Sequence, residues 1–109
     1  PSPLLYGESL YFVRHFQGVL TRVNARTGED QPGAFRLNGI GHVFASPVGA
    51  GNRVYISDRK GTTLVIRHTN TLEALARNQL NDSFSASPAL AGTELYLRGE
   101  KHLYCIAER

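Results

Sequence analysis

The chain contains no tryptophan and no methionine, and it has one cysteine, Cys105. A single thiol excludes an internal disulfide and leaves no cysteine pair for a metal site. Set in the apolar run Leu103-Tyr104-Cys105-Ile106-Ala107, it reads as a small buried hydrophobe. Lysine is scarce: ten of the twelve cations are arginine, and the formal net charge is only +3. Such scattered, mild basicity gives no footprint for nucleic acid. No apolar stretch approaches the roughly 18 residues that a membrane-spanning helix needs. No charged segment followed by an apolar one opens the chain, and a piece cut from a longer protein would have lost a leader in any case.

Catalytic and ligand-binding patterns are equally thin. Asp58, Asp82 and the glutamates are dispersed, so no carboxylate pair is visible. His15, His42, His68 and His102 lack metal-ligand spacing and read as solvated loop histidines. Gly39-Ile40-Gly41 lacks the strand–turn–helix setting of a phosphate loop. Asn81-Asp82-Ser83 reads as a polar loop between structural units rather than as a glycosylation acceptor.

What is present is a repeat. Ser2-Pro3 precedes Leu10-Tyr11-Phe12, Ser46-Pro47 precedes Val54-Tyr55-Ile56, and Ser87-Pro88 precedes Leu95-Tyr96-Leu97, with a glycine inside each interval. The prolines are 44 and 41 residues apart, the spacing of a β-propeller blade. The fold class is therefore all-β, built from four-stranded antiparallel blades, with units at about 2–45, 46–86 and 87–109. Closed propellers carry about four to eight blades. At about 42 residues each, four blades need about 170 residues, and this chain has 109. The expectation is a partial propeller completed by further blades or by further copies of the chain.

Strands are expected at 3–6, 10–15, 18–24 and 34–37 in the first unit. The second gives 47–49, 53–57, 62–68 and 73–79, and the third gives 88–90, 94–98 and 102–107, with no fourth strand. Runs such as Leu64-Val65-Ile66 are apolar at consecutive positions, the pattern of a sheet covered on both faces. The Ser-Pro pairs suit strand starts, where a missing N–H is tolerated. Residues 71–79 have local helix propensity, but alignment with the other units places an outer strand there.

The repeat resembles the blade of the PQQ-like (quinoprotein-type) β-propeller family in degenerate form. The matching residues are Leu10-Tyr11, Gly18-Val19-Leu20 and Thr27-Gly28-Glu29, then Val54-Tyr55, Gly61-Thr62-Thr63-Leu64 and Thr71-Leu72-Glu73, then Leu95-Tyr96 and Leu103-Tyr104-Cys105-Ile106. The family's docking tryptophans would fall near Pro32 and Ala76, and its frequent turn aspartate appears as Asn24 and His68. The resemblance implies an exported, periplasmic or secreted bacterial protein. It also implies that an end after a third strand suits the C-terminal part of a propeller whose last blade takes its outer strand from the chain's beginning. Catalytic relatives carry an adjacent cysteine pair and calcium ligands, which this sequence lacks, so no catalytic residue, cofactor or metal ligand is expected here. The function so implied is a non-catalytic scaffold or protein-interaction module. The alternative is part of a PQQ- and calcium-dependent alcohol dehydrogenase whose catalytic residues lie on other blades.

One surface stands out. Loops joining the second and third strands of successive blades emerge on one propeller face. Arg14 and His15, Arg59 and Lys60, and Arg98 and Lys101 occupy those loops. Together they form a candidate basic rim for an anionic ligand or an acidic partner.

Overall fold

A computed structural model describes residues 3–13, 19–29, 35–37, 40–43, 46–68, 73–84, 87–91 and 94–107. These residues form eleven strands in three antiparallel sheets. The first sheet contains β1 (Leu4–Tyr6), β2 (Ser9–Val13), β3 (Val19–Asn24) and β4 (Phe35–Arg36). The second contains β5 (Val48–Ala50), β6 (Arg53–Ser57), β7 (Thr62–Arg67) and β8 (Glu73–Gln79). The third contains β9 (Ala89–Ala91), β10 (Glu94–Arg98) and β11 (Leu103–Ala107).

Among the described residues, every strand pairs only with its neighbours in sequence. The innermost strands β1, β5 and β9 lie side by side from sheet to sheet, so the sheets stack as successive blades of a propeller-type fold. Pro3, Pro47 and Pro88 each stand immediately before an innermost strand, where no ladder donor is lost. Gly51 and Asn52 both have positive φ (57° and 61°) and close the β5–β6 hairpin as a two-residue turn whose twist matches the strands.

Residues 73–79 form a strand despite their helix propensity, because β7 offers them a ladder of six residue pairs. The pairing shifts between Val65 and Ile66: Val65 faces Ala76 and Ile66 faces Ala74, which leaves Leu75 as the extra residue of a β-bulge.

Side-chain alternation divides the apolar residues between two cores. Tyr11 and Leu20 of the first sheet meet Val54, Ile56, Leu64 and Ile66 of the second, with Leu37, Ile40 and Val43 from the connecting segment. Between the second and third sheets, Phe84, Leu95 and Leu97 are buried, flanked by Tyr55, Leu80, Leu90, Tyr104 and Ile106. The second sheet is thus covered on both faces, as its consecutive apolar positions imply. The outward face of the first sheet leaves Leu5 and Phe12 exposed.

Candidate functional site

Two buried carboxylates organise the ends of the sheets. Asp58 opens the β6–β7 hairpin and is 1% exposed. Its Oδ1 accepts the N–H groups of Lys60 and Thr62, each at 2.9 Å, and its Oδ2 accepts Gly41 N–H at 3.0 Å. One carboxylate therefore closes its own hairpin and ties it to the segment entering the second sheet. A backbone bond from Arg59 N–H to the His42 carbonyl adds to the tie, at 2.9 Å.

The next interface repeats the arrangement with the partners exchanged. Asp82 lies in the segment entering the third sheet and reaches across to the β10–β11 hairpin. It accepts the N–H groups of Ser83 (2.7 Å), Lys101 (3.0 Å) and His102 (3.0 Å) and the Tyr104 hydroxyl (3.0 Å). Burial pushes the Asp82 carboxyl up, but these donors outweigh burial and bring it from 3.8 down to about 2. Glu100 N–H bonds the Ser83 carbonyl at 3.0 Å, the counterpart of Arg59 and His42.

Between the two hairpins runs the loop 80–83. Leu80 N–H bonds the Gly61 carbonyl at 2.8 Å, and the Gln79 amide donates to the Lys60 carbonyl at 2.8 Å. Gly61 has φ +91°, and a Cβ there would collide with the Leu80 and Asp82 carbonyl oxygens. Arg59 and Lys60 on one hairpin, and Arg98 and Lys101 on the other, thus flank a single loop at one end of the sheets, and all four are exposed. Arg14 and His15, the remaining members of the candidate rim, lie outside the described residues.

A second polar cluster fills the opposite end of the interface between the first and second sheets. Tyr11 O–H donates to His68 Nδ1 at 2.5 Å across 57 residues of sequence. The guanidinium of Arg22, itself buried, hydrogen-bonds the Tyr11 hydroxyl. A guanidinium only donates, so the phenol proton is directed to the imidazole. Burial raises the Tyr11 pKa and Arg22 opposes this rise. Burial, and then Arg22, lowers that of His68. Both groups are held neutral. The Tyr6 ring lies 4.6 Å from that of His68, centroid to centroid, and its hydroxyl accepts Asn52 N–H at 2.8 Å. A Cβ on Gly49 would sit 2.9 Å from Tyr6 Cγ, so glycine makes the room for this ring. His68 is therefore an interface side chain, not the solvated loop histidine expected from spacing.

Cys105 also departs from expectation. It is exposed on the outward face of the third sheet, because alternation turns Tyr104 and Ile106 inward. Its thiol donates to Glu94 at 3.2 Å, and that hydrogen bond, followed by desolvation, raises its pKa. A thiol kept protonated is a poor nucleophile. Hydrogen bonding and charge from Cys105, with Glu94 adding to them, push the neighbouring Tyr96 hydroxyl up to about 12. Among the described residues, no group of three or more His, Cys, Asp or Glu side chains could hold a metal ion, and no helix is long and apolar enough to cross a membrane.

No protein-family model and no curated protein sequence matches this chain. Among solved structures, the chain is similar to the crystal structure of BamB from Moraxella catarrhalis. The TM-score is 0.72 at 14% identity, over 90% of this chain and 28% of that one. The likeness shows a propeller-type fold, of which this chain spans little more than a quarter of the neighbour's length.

Proposed function

We propose that this chain is a stretch of a degenerate PQQ-like β-propeller that serves an exported bacterial protein as a non-catalytic scaffold and protein-interaction module. The observation that carries this reading is the pair of hairpins held by Asp58 and Asp82. They present Arg59, Lys60, Arg98 and Lys101 on rigid supports at one end of the sheets. Fixed cations of one sign attract an acidic partner and speed its encounter. The outward faces of the first and third sheets, where Leu5 and Leu103 are exposed, dock the remaining blades or further copies of the chain.

The residues described here do not fit PQQ and calcium. Both buried aspartates already have their oxygens engaged by backbone N–H groups of their own and neighbouring loops, and Cys105 has no adjacent cysteine. The match to BamB supports the fold on which this reading rests.

Charge reversal tests the rim. An Arg59→Glu/Lys60→Glu variant and an Arg98→Glu/Lys101→Glu variant are titrated with a poly-glutamate peptide at low and high salt. The wild-type chain binds with strong salt dependence, and each variant loses most of that binding. Unchanged affinity removes the rim. PQQ- and calcium-dependent dye reduction by a longer protein containing this chain overturns the non-catalytic assignment.

A further inference from the structure

The two inter-sheet interfaces are filled differently. Between the first and second sheets, two aromatic rings stand side by side: Tyr6 covers Gly49, and its ring centroid lies 4.6 Å from that of His68. The Tyr11 hydroxyl donates to His68 Nδ1, and Arg22 hydrogen-bonds the same hydroxyl. The ladder registers align the next interface with this one. Tyr55 stands in place of Tyr11, Ala50 in place of Tyr6, Leu90 in place of Gly49, and Val65 in place of Arg22. Glu108, aligned with His68, carries no ring and lies outside the described residues. The tyrosine is kept, and neither position that accompanies it carries a ring.

At this place the second and third sheets part to leave a cleft of about 680 Å³, within the roughly 300–1,000 Å³ range of small-molecule sites. Toward the hairpin end the sheets are joined by Phe84, Leu97 and Tyr104, with the Phe84 and Tyr104 rings 5.9 Å apart. One wall of the cleft is the cross-strand row Leu90–Leu95–Ile106. The other carries Tyr55 and Val65, and the bulge at β8 brings Leu75 into the lining. Two opposed sheet faces make a slot, in which a flat ring buries both of its faces. No acidic residue is among the described lining, so a protonated ring would lose hydration there without gaining a counter-charge. The Tyr55 hydroxyl has no hydrogen-bond partner among the described residues, whereas that of its counterpart Tyr11 is bonded to both His68 and Arg22. A free hydroxyl on an otherwise apolar wall is the kind of polar group that orients a ligand.

We propose that this cleft binds a flat, neutral heteroaromatic compound of one or two fused rings. The rings lie between Val65 and the Leu90–Leu95–Ile106 row, and a ring nitrogen accepts the Tyr55 O–H as His68 Nδ1 accepts that of Tyr11. The ligand thus supplies from solution the ring and the acceptor that the chain itself supplies one interface earlier. Arg53 and Arg67 also line the cleft, where β6 begins and β7 ends. The site therefore lies at the opposite end of the sheets from the hairpin cations and works independently of the rim.

The test is NMR titration of the 109-residue chain at neutral pH with quinoline and, separately, with naphthalene, which has the same shape and no nitrogen. Quinoline shifts the methyl signals of Leu90, Leu95 and Ile106 in the unmodified chain, which locates the site without any variant. Tyr55→Phe keeps the ring of the wall and weakens quinoline by about fivefold, the worth of one neutral hydrogen bond, while naphthalene affinity is unchanged. Ala50→Tyr/Leu90→Gly rebuilds the first interface in the second and blocks both ligands, while circular dichroism and the urea midpoint report an intact fold. No shifts at millimolar quinoline, shifts confined to Leu5 and Leu103, or a Tyr55→Phe variant that weakens both ligands equally or neither overturns the proposal.

Discussion

The Asp82 carboxylate occupies the space that a side chain at Gly99 would need. One interface earlier the same two positions are exchanged: Asp58 aligns with Gly99, and Gly41 aligns with Asp82. Each interface carries one carboxylate at this point; a Cβ on Gly99 would collide with that of Asp82, whereas one on Gly41 would meet Asp58 at an ordinary 3.9 Å. The hairpin supplies it in the second sheet, and the entering segment supplies it in the third.

Gly99→Ala is therefore expected to destabilise the chain by roughly 1–3 kcal/mol through overpacking. Asp82→Gly alone leaves the Lys101 and His102 N–H groups without their acceptor. The double variant Asp82→Gly/Gly99→Asp recreates the arrangement of the second sheet and recovers a large part of the loss. Urea midpoints of the three variants decide the matter, and strict additivity would show that the positions are not coupled.

Acid stability follows from Asp82. Its folded pKa of about 2 lies below the ordinary 3.8, so its contribution is complete above pH 3.8 and is lost as the pH falls through about 2. The third sheet is expected to loosen across that window, and Asp82→Asn is expected to flatten this part of the pH profile. Near-ultraviolet circular dichroism of Tyr104, which donates to this carboxylate, follows the change.

His68 governs a higher window. Its pKa is depressed below 6.5 by burial and by Arg22. The unfolded chain takes up the proton first, so stability falls as the pH drops below about 6.5 toward the folded pKa. His68→Gln removes this dependence. A wild-type profile that is flat across the same range would refute the neutral Tyr11–His68 pair.

Tyr11 separates hydrogen bonding from packing. Tyr11→Phe keeps the ring and loses the bond to His68, at an expected cost of about 1 kcal/mol. Tyr11→Ala also empties a fully buried position, for roughly 3–5 kcal/mol. Thermal denaturation of the two variants gives the ratio directly.

The outward face of the first sheet provides another measurement. Leu5 is 62% exposed and Phe12 37%, and an apolar sheet face of this kind associates. Static light scattering is expected to show concentration-dependent self-association, and Leu5→Lys/Phe12→Lys is expected to return the molar mass to that of a monomer.

The strand plan was legible because the repeat states it three times. The readings 53–57, 73–79 and 94–98 coincide with β6, β8 and β10. For 73–79, aligning the repeats outweighed a local helix propensity that β7 in fact overrides. The Asp–Gly exchange was also written in the repeat, at an offset of 41 residues, but acids taken singly look dispersed. The neighbours of His68 were not legible. Its partners Tyr6 and Tyr11 belong to another sheet, and spacing along the chain carries no sign of that meeting. Cys105 was misread because a run of apolar residues does not reveal which side of an end sheet is uncovered. The cleft went unseen for a related reason: it arises from which residue sizes face each other between sheets, Ala50 near Leu90 instead of Tyr6 over Gly49.

The pairing of each strand with its sequence neighbours alone has a kinetic consequence. Ladder closure never waits for a distant segment, so loop-closure entropy is small and hairpins form early. Coupling between sheets runs only through adjacent faces, as in a one-dimensional array. Amide hydrogen exchange should therefore grade along the array. β7, central in the sheet covered on both sides, should exchange only through global opening, while β1 and β11 should exchange through local fraying at the two ends.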